Sequence, residues 1–259
     1  MRRAAKVAIG FAGAGATWVT GIFIASFAAR GCVAERMRAR LSESLDAQVT
    51  LADLDLALVR GAVAFEGLVI DRVHDGHLHV AVDRIDAGIA PLGAYLWDRD
   101  LGLVHVDGVD VVVDGWGVLR IRPPVRPPIK MASLAIDDAR LELAPATWAP
   151  KWARFAVLID HAESGETVLR TPLSWVFALE RLDARLEVPG TAPVALHYER
   201  GRLDASGSIF GPDPISIPVL LPAPEPGHEG QQLVALGKDV AERLALARAS
   251  GWIMDELGP

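Results

Sequence analysis

From residue 48 to about residue 217, apolar and polar side chains take turns along the chain. Leu54, Leu56 and Leu58 are spaced by Asp55 and Ala57, and Val63 and Phe65 flank Ala64. The same period recurs in Leu78, Val80 and Val82, in Val109, Val111 and Val113, in Leu119 and Ile121, in Leu134 and Ile136, and in Leu141 and Leu143. A period of two sorts side chains onto the two faces of a β-strand. The positions between include Asp110, Arg120, Arg140 and Glu142. One face is therefore apolar and the other charged, the pattern of antiparallel strands with one side in water.

Breaks at Gly, Pro and Asp predict eleven strands, near residues 48–58, 62–71, 77–90, 101–107, 109–121, 129–137, 139–145, 154–160, 173–188, 193–203 and 206–217. The apolar phase slips between Leu179 and Leu182, which predicts a bulge or bend. Pro123, Pro124, Pro127 and Pro128 cannot occupy a central ladder and predict an extended connection midway. Residues 145–152 are a second interruption. After a proline-rich linker over 218–230, Leu233, Leu236, Val240, Leu244 and Ala247 recur every three or four residues, predicting an amphipathic helix over 231–259.

The first 48 residues read differently. Residues 7–29 carry no charge, enough for the roughly 20 apolar residues that span a bilayer core. Residues 1–30 are thus expected to be a cytoplasmic tail and transmembrane anchor, and 31–48 a basic juxtamembrane helix. A cleaved signal peptide ending near Ser26-Phe27-Ala28 is the alternative; a lipoprotein anchor at Cys32 fits poorly, because Arg30 stands where a small residue belongs. Arg2, Arg3 and Lys6 before the span nearly balance Arg30, Arg36, Arg38 and Arg40 after it, so flanking charge leaves orientation open. Gly13, Thr17, Gly21 and Ala25 form a stripe of small residues on which another helix can pack, although the chain is rich in glycine and alanine throughout.

Charge divides the chain: residues 1–40 sum to +6 and the rest to −13. An acidic body without a basic patch excludes nucleic acid as the expected partner. The basic segment suits lipid headgroups. The single cysteine rules out an internal disulfide framework.

Catalytic chemistry has little support. His74, His77 and His79, with Asp75 and Asp83 nearby, hint at a metal site, but a polar turn followed by solvent-facing strand positions accounts for them more simply. The serine in GSIFG is off the register of a nucleophile elbow. No triad, phosphate loop or carboxylate pair emerges, so neither an enzyme nor a cofactor is expected.

The apolar strand faces need a cover. In a sandwich or barrel they pack on one another; in an open sheet they line a trough for an apolar ligand. Periodicity alone does not separate these, and physics alone favours the closed core, which needs no lid.

A resemblance shifts that balance. The stretch RLSESLDAQVTLADLDLALVRGAVAFEGLVIDRV (residues 40–73), directly after a candidate anchor, is similar to the start of AsmA-like proteins of the bacterial envelope. Residues 78–115 and 129–143 resemble the strand units that follow in that family, and the likeness fades beyond 145. The resemblance implies an inner-membrane, single-pass protein with its β-domain (49–217) in the periplasm. Its partners would be the membrane and phospholipid, whose acyl chains lie in an apolar β-groove, in the service of outer-membrane lipid homeostasis or assembly. The lining would be Leu54, Leu56, Leu58, Val63, Phe65, Leu78, Val80, Val82, Val109, Val111, Val113, Leu119, Ile121, Leu134, Ile136, Leu141 and Leu143. The expected fold class is mainly β: a transmembrane helix, a curved antiparallel sheet forming a groove or partly closed, and a C-terminal helix. Eleven strands at about 4.8 Å spacing make a groove of roughly 50 Å, short for bridging two membranes alone. A membrane-anchored β-scaffold that docks other envelope proteins through sheet edges or the transmembrane helix is the alternative.

Overall fold

The computed structural model describes residues 31, 34–39, 41–43, 46–57, 61–73, 76–89, 100–114, 129–144, 154–169, 174–207, 210–225 and 228–257. After helical residues 34–39 and 41–43, the strands are β1 (Gln48–Ala57), β2 (Ala62–Val73), β3 (His77–Ile89), β4 (Asp100–Asp114), β5 (Ile129–Ala144), β6 (Phe155–Ser164), β7 (Thr167–Leu169), β8 (Leu179–Glu187), β9 (Val194–Glu199), β10 (Arg202–Gly207) and β11 (Gly211–Pro218). A 3-10 turn, Ser174–Ala178, precedes β8, and α1 (Glu229–Leu257) ends the chain.

All eleven strands belong to one sheet. It runs in chain order from β1 to β11, except that the short β7 pairs with the start of β5. Among the described residues no pairing joins β1 to β11 and no second sheet faces the first. The strand order is that of an open layer, not of a sandwich or a closed barrel.

The antiparallel expectation holds for every neighbouring pair but one: β4 and β5 run parallel, with Asp100 beside Lys130 and Asp114 beside Ala144. Parallel neighbours need a crossover of a dozen or more residues, and the predicted proline-rich connection falls between the two strands, in residues 115–128, which lie outside the described residues. Several predicted boundaries also change. Segments 101–107 and 109–121 belong to one strand as far as Asp114, beyond which the predicted part lies outside the described residues, and 129–137 and 139–145 are likewise one strand. Segment 193–203 contains the turn at Arg200–Gly201, and 173–188 opens with the 3-10 turn. The bulge expected near residue 180 is present, since Ser164 pairs with Leu179 while Glu163 pairs with Arg181.

The merged strands share a backbone feature. Gly67, Gly108 and Asp138 have φ of 60°, 64° and 51°. The registers set Gly67 opposite Ala52 and Asp83, Gly108 opposite Asp83, and Asp138 beside Gly108 and opposite Asp160. A crease thus crosses β1 to β6. Each of these strands carries one residue more there than β8 to β11 do, and a bulge between Ile159 and His161 absorbs the difference. A left-handed residue reverses the side-chain alternation, so Leu51 and Leu54, Leu68 and Phe65, and Val109 and Val106 lie on one face despite odd spacing. At Gly108 a side chain would also run into Asp83, so glycine is required twice over.

Each end of the sheet receives a helix. Past helical residues 41–43, Asp46 has a φ of 50°, and Ala47 N–H bonds back to Ser42 C=O at 3.2 Å where the chain enters β1. At the other end, Gln232 of α1 accepts from Glu225 N–H at 2.8 Å and donates to Ala223 C=O at 3.0 Å. These bonds tie the proline-rich linker to the helix it leads into.

Candidate functional site

Following the register across the sheet, the apolar side chains fall into continuous rows. One runs Leu54, Phe65, Ile85, Val106, Ile136, Ala162, Leu182, Tyr198, Leu203 and Ile217. Across the crease lies the row Leu51, Leu68, Val82, Val109, Ala139, Ile159, Ala184, Leu196, Ala205 and Ile215. Beyond it comes Val49, Ile70, Val80, Val111, Leu141, Val157, Leu186 and Val194.

The predicted lining residues that are described all fall on this face. Leu54, Val82, Val113 and Leu134 are buried; Val63, Phe65, Leu78, Val80, Val109, Val111, Ile136, Leu141 and Leu143 are half-buried. Leu58, Leu119, Ile121 and the side chain of Leu56 lie outside the described residues. Sequence reasoning left out Ile85, Val104, Val106, Phe155, Val157 and Ile159. They were recoverable from alternation, provided that the phase was allowed to flip at the crease.

Three pieces cover parts of the face. Met37 and Leu41 of the helical segment lie over Val49, Leu51, Phe65, Leu68 and Ile85. Trp175 of the 3-10 turn packs on the buried cluster Ala87, Val104, Met131 and Leu134. Leu236, Val240, Leu244 and Ala247 of α1 close over Tyr198, Leu203, Ala205, Ile217 and Val219. Four of the five residues of the predicted α1 stripe, all but Leu233, thus face inward, while Val234 and Leu246 remain 76% and 67% exposed. Between the covers, Val111, Leu141, Leu143, Phe155, Val157 and Leu186 are half-buried and belong to neither buried cluster.

The opposite face carries a row of charge at one register: Asp53, Glu66, Arg84, Asp107, Asp137, His161, Asp183, His197, Asp204 and Ser216. Arg84 bridges Glu66 at 2.8 Å and Asp86 at 2.6 Å. Asp137 lies between His161 Nδ1 at 2.6 Å and His105 Nε2 at 2.8 Å. Asp183 meets His197 Nδ1 at 2.5 Å and Arg181 Nε at 3.0 Å, and Asp204 accepts from Ser216 and Arg202. These partners hold the carboxyls of Asp137, Asp183 and Asp204 below the ordinary aspartate range, chiefly through the hydrogen bonds from His161, His197 and Ser216 respectively. Exposed ion pairs of this kind contribute little singly. The row braces the strands and keeps the outer face wet.

Of the candidate histidines, the two that are described pair with an aspartate. His79 Nδ1 lies 2.6 Å from Asp71 Oδ1 across the β2–β3 ladder, with His77 Nε2 at 3.8 Å; His74 and Asp75 lie outside the described residues. Among the described residues no group of three or more His, Cys, Asp or Glu side chains is arranged to hold a metal ion. A cleft of about 610 Å³ lies beside the β8–β9 connection, and Arg140 and Arg154 on its wall are engaged with Glu142 at 3.2 and 3.0 Å.

Among the described residues no helix is long and apolar enough to cross a membrane. The predicted span at 7–29, with Gly13, Thr17, Gly21 and Ala25, lies outside them. No protein-family model matches the chain, and no curated protein or solved structure matches it.

Proposed function

We propose that this chain binds acyl chains of phospholipid along the apolar face of its sheet, as a membrane-anchored, AsmA-like protein of the bacterial envelope. The observation that carries the reading is the half-buried stretch between the covers. Val111, Leu141, Val157 and Leu186 form one aliphatic row over β4, β5, β6 and β8, and the sheet is a single open layer. An acyl chain laid along such a row leaves water at about 0.8 kcal/mol per buried CH₂. Many interchangeable aliphatic contacts suit a ligand that must slide, because no single residue pins it. The charged row on the other face keeps the layer soluble while the apolar face is occupied.

The test is the organic extract of full-length protein purified in a lipid-free detergent. Mass spectrometry should detect phospholipid, and Leu141→Asp should remove most of it without unfolding the sheet. A lipid-free wild-type extract would count against the reading.

The docking alternative has one specific observation behind it. The two sheet edges differ: β11 contains Pro214 and Pro218, which lack the N–H that an added strand would need, whereas β1 has ten residues and no proline. Among the described residues β1 pairs with β2 alone, so an added partner strand fits that edge. Disulfide trapping through cysteines placed in β1 would reveal such a partner in membranes.

A further inference from the structure

Each outermost strand has a backbone carbonyl held by an arginine of the helix beside it. At β11, Arg243 Nη1 of α1 donates to the Pro218 carbonyl at 3.2 Å. At β1, Arg38 Nη2 of the N-terminal helical residues donates to the Leu51 carbonyl at 3.2 Å. The β1 strand carries a second bond of this kind, because Leu54 N–H donates to Oδ1 of the preceding Asp53 at 2.8 Å. An outermost strand pairs on one side only, so alternate backbone groups face away from the sheet, and an unguarded row of them recruits other chains. Pro214 and Pro218 already interrupt the donors of β11. β1 has no proline, and its guard is the pair of side-chain bonds.

The places of those two bonds identify what they keep out. Joining β1 head-to-tail to the β11 of another copy meets the prolines, which leaves β1 against β1 about a two-fold axis normal to the sheet. With that axis between Ala52 and Asp53, Leu51 stands opposite Leu54 of the copy, Thr50 opposite Asp55, and Ala52 opposite Asp53. No aspartate then faces an aspartate. Leu51 and Leu54 are both buried on the apolar face, so apolar side meets apolar side. Opposed residues of a hydrogen-bonded antiparallel pair exchange both N–H···O=C bonds. In this register the Leu51 carbonyl takes the N–H of Leu54 from the copy, and these are the two groups that Arg38 and Asp53 hold.

We propose that Arg38 and Asp53 form a latch on the β1 edge that keeps two copies of this chain apart, and that releasing it joins them β1 to β1 in this register. The inference rests on reading β1 as the edge that accepts a strand. The joined sheet carries one apolar face from the β11 of one copy to the β11 of the other.

The test uses the full-length chain in neutral detergent with Cys32→Ser, Thr50→Cys and Asp55→Cys. Along one strand these positions are about 17 Å apart, too far for a disulfide. Across the axis they form a pair without backbone hydrogen bonds, with Cα atoms about 4.5 Å apart, within disulfide reach. Arg38→Met and Asp53→Ala together release the latch. Non-reducing gels after mild oxidation should show linked dimer scarce with the latch intact and abundant without it. The chain concentration at which half is linked should fall about a hundredfold, a tenfold step for each lost charge-assisted bond. Thr50→Cys without Asp55→Cys should not link, because this register holds the two copies of residue 50 apart. Thermal melting verifies that Arg38→Met folds. If it does not, Asp53→Ala alone, at an exposed position, should still give about a tenfold change. Equal linking with and without the latch overturns the role of Arg38 and Asp53, and linking by Thr50→Cys alone overturns the register. The same cysteines are also oxidised in native membranes. If they trap a different protein and never a second copy, the proposal falls and β1 stands as a docking edge; if they trap nothing in either state, both fall.

Discussion

Under α1 the apolar face is a finished core, and a few strands away the neighbouring row is not. Leu203, Ala205, Ile217, Val219 and Leu244 are all under a tenth exposed, and Ala205 is fully buried. Val111, Leu141, Val157 and Leu186 continue the pattern on β4, β5, β6 and β8 but are only half-buried. Strand alternation is equally good in both places. The difference is the cover, which shows that a period of two reports which face a side chain takes and says nothing about what lies on it.

An identical charge placed in each region should separate them most sharply. Ala205→Asp buries an unpaired carboxylate beneath α1 and should cost more than about 4 kcal/mol. Leu141→Asp, in the half-buried stretch, should cost no more than about 2 kcal/mol. Denaturant titration of both variants checks the contrast, and equal losses would erase it. Leu244→Ala, which opens the seam between α1 and β10–β11, should cost about 2–3 kcal/mol. It should also raise hydrogen exchange in β10 and β11 without altering β4 and β5.

The crease allows a second comparison, since β1 to β6 have it and β8 to β11 do not. Gly108→Ala should cost about 1–2 kcal/mol, because the left-handed backbone disfavours a side chain and Asp83 occupies the space. Asp138→Gly should be neutral or gain a few tenths of a kcal/mol at the equivalent position. Thermal melts measure both.

The smallest effect belongs to the charged row. Asp137, Asp183 and Asp204 have lowered folded-state pKa values, so their pairing stabilises the sheet above the unfolded aspartate value of about 3.9. That contribution should fade as the pH falls from there through the lower folded values. Asp137→Asn should flatten this acid limb slightly and leave the neutral-pH midpoint within about 1 kcal/mol. A steeper loss between pH 6 and 7 would implicate other groups.

Much of this was legible beforehand. The one-sided alternation located most strands, the bulge near residue 180 and four of the five residues of the inward stripe of α1. The splits drawn at 108 and 138 illustrate what was not. There the hydrophobic phase does slip, and two strands were read where one left-handed residue flips the alternation inside a single strand. Gly108 and Asp138 look like ordinary turn residues until the register aligns them with Gly67. The parallel β4–β5 pair was hidden for a different reason, because strand direction depends on where residues 115–128 carry the chain and not on local pattern. The charged row was invisible as a row: His105, His161 and His197 are far apart in sequence, and only register brings them to their aspartates.

The most direct measurement is the accessibility of a nitroxide attached at Val157→Cys in a Cys32→Ser background, with Val240→Cys, on the side of α1 that packs on the sheet, as control. The account predicts that oxygen relaxes the label at 157 readily in lipid-free protein, that added phospholipid slows its motion, and that the label at 240 responds to neither. A label at 157 as shielded as that at 240, and indifferent to phospholipid, would contradict it.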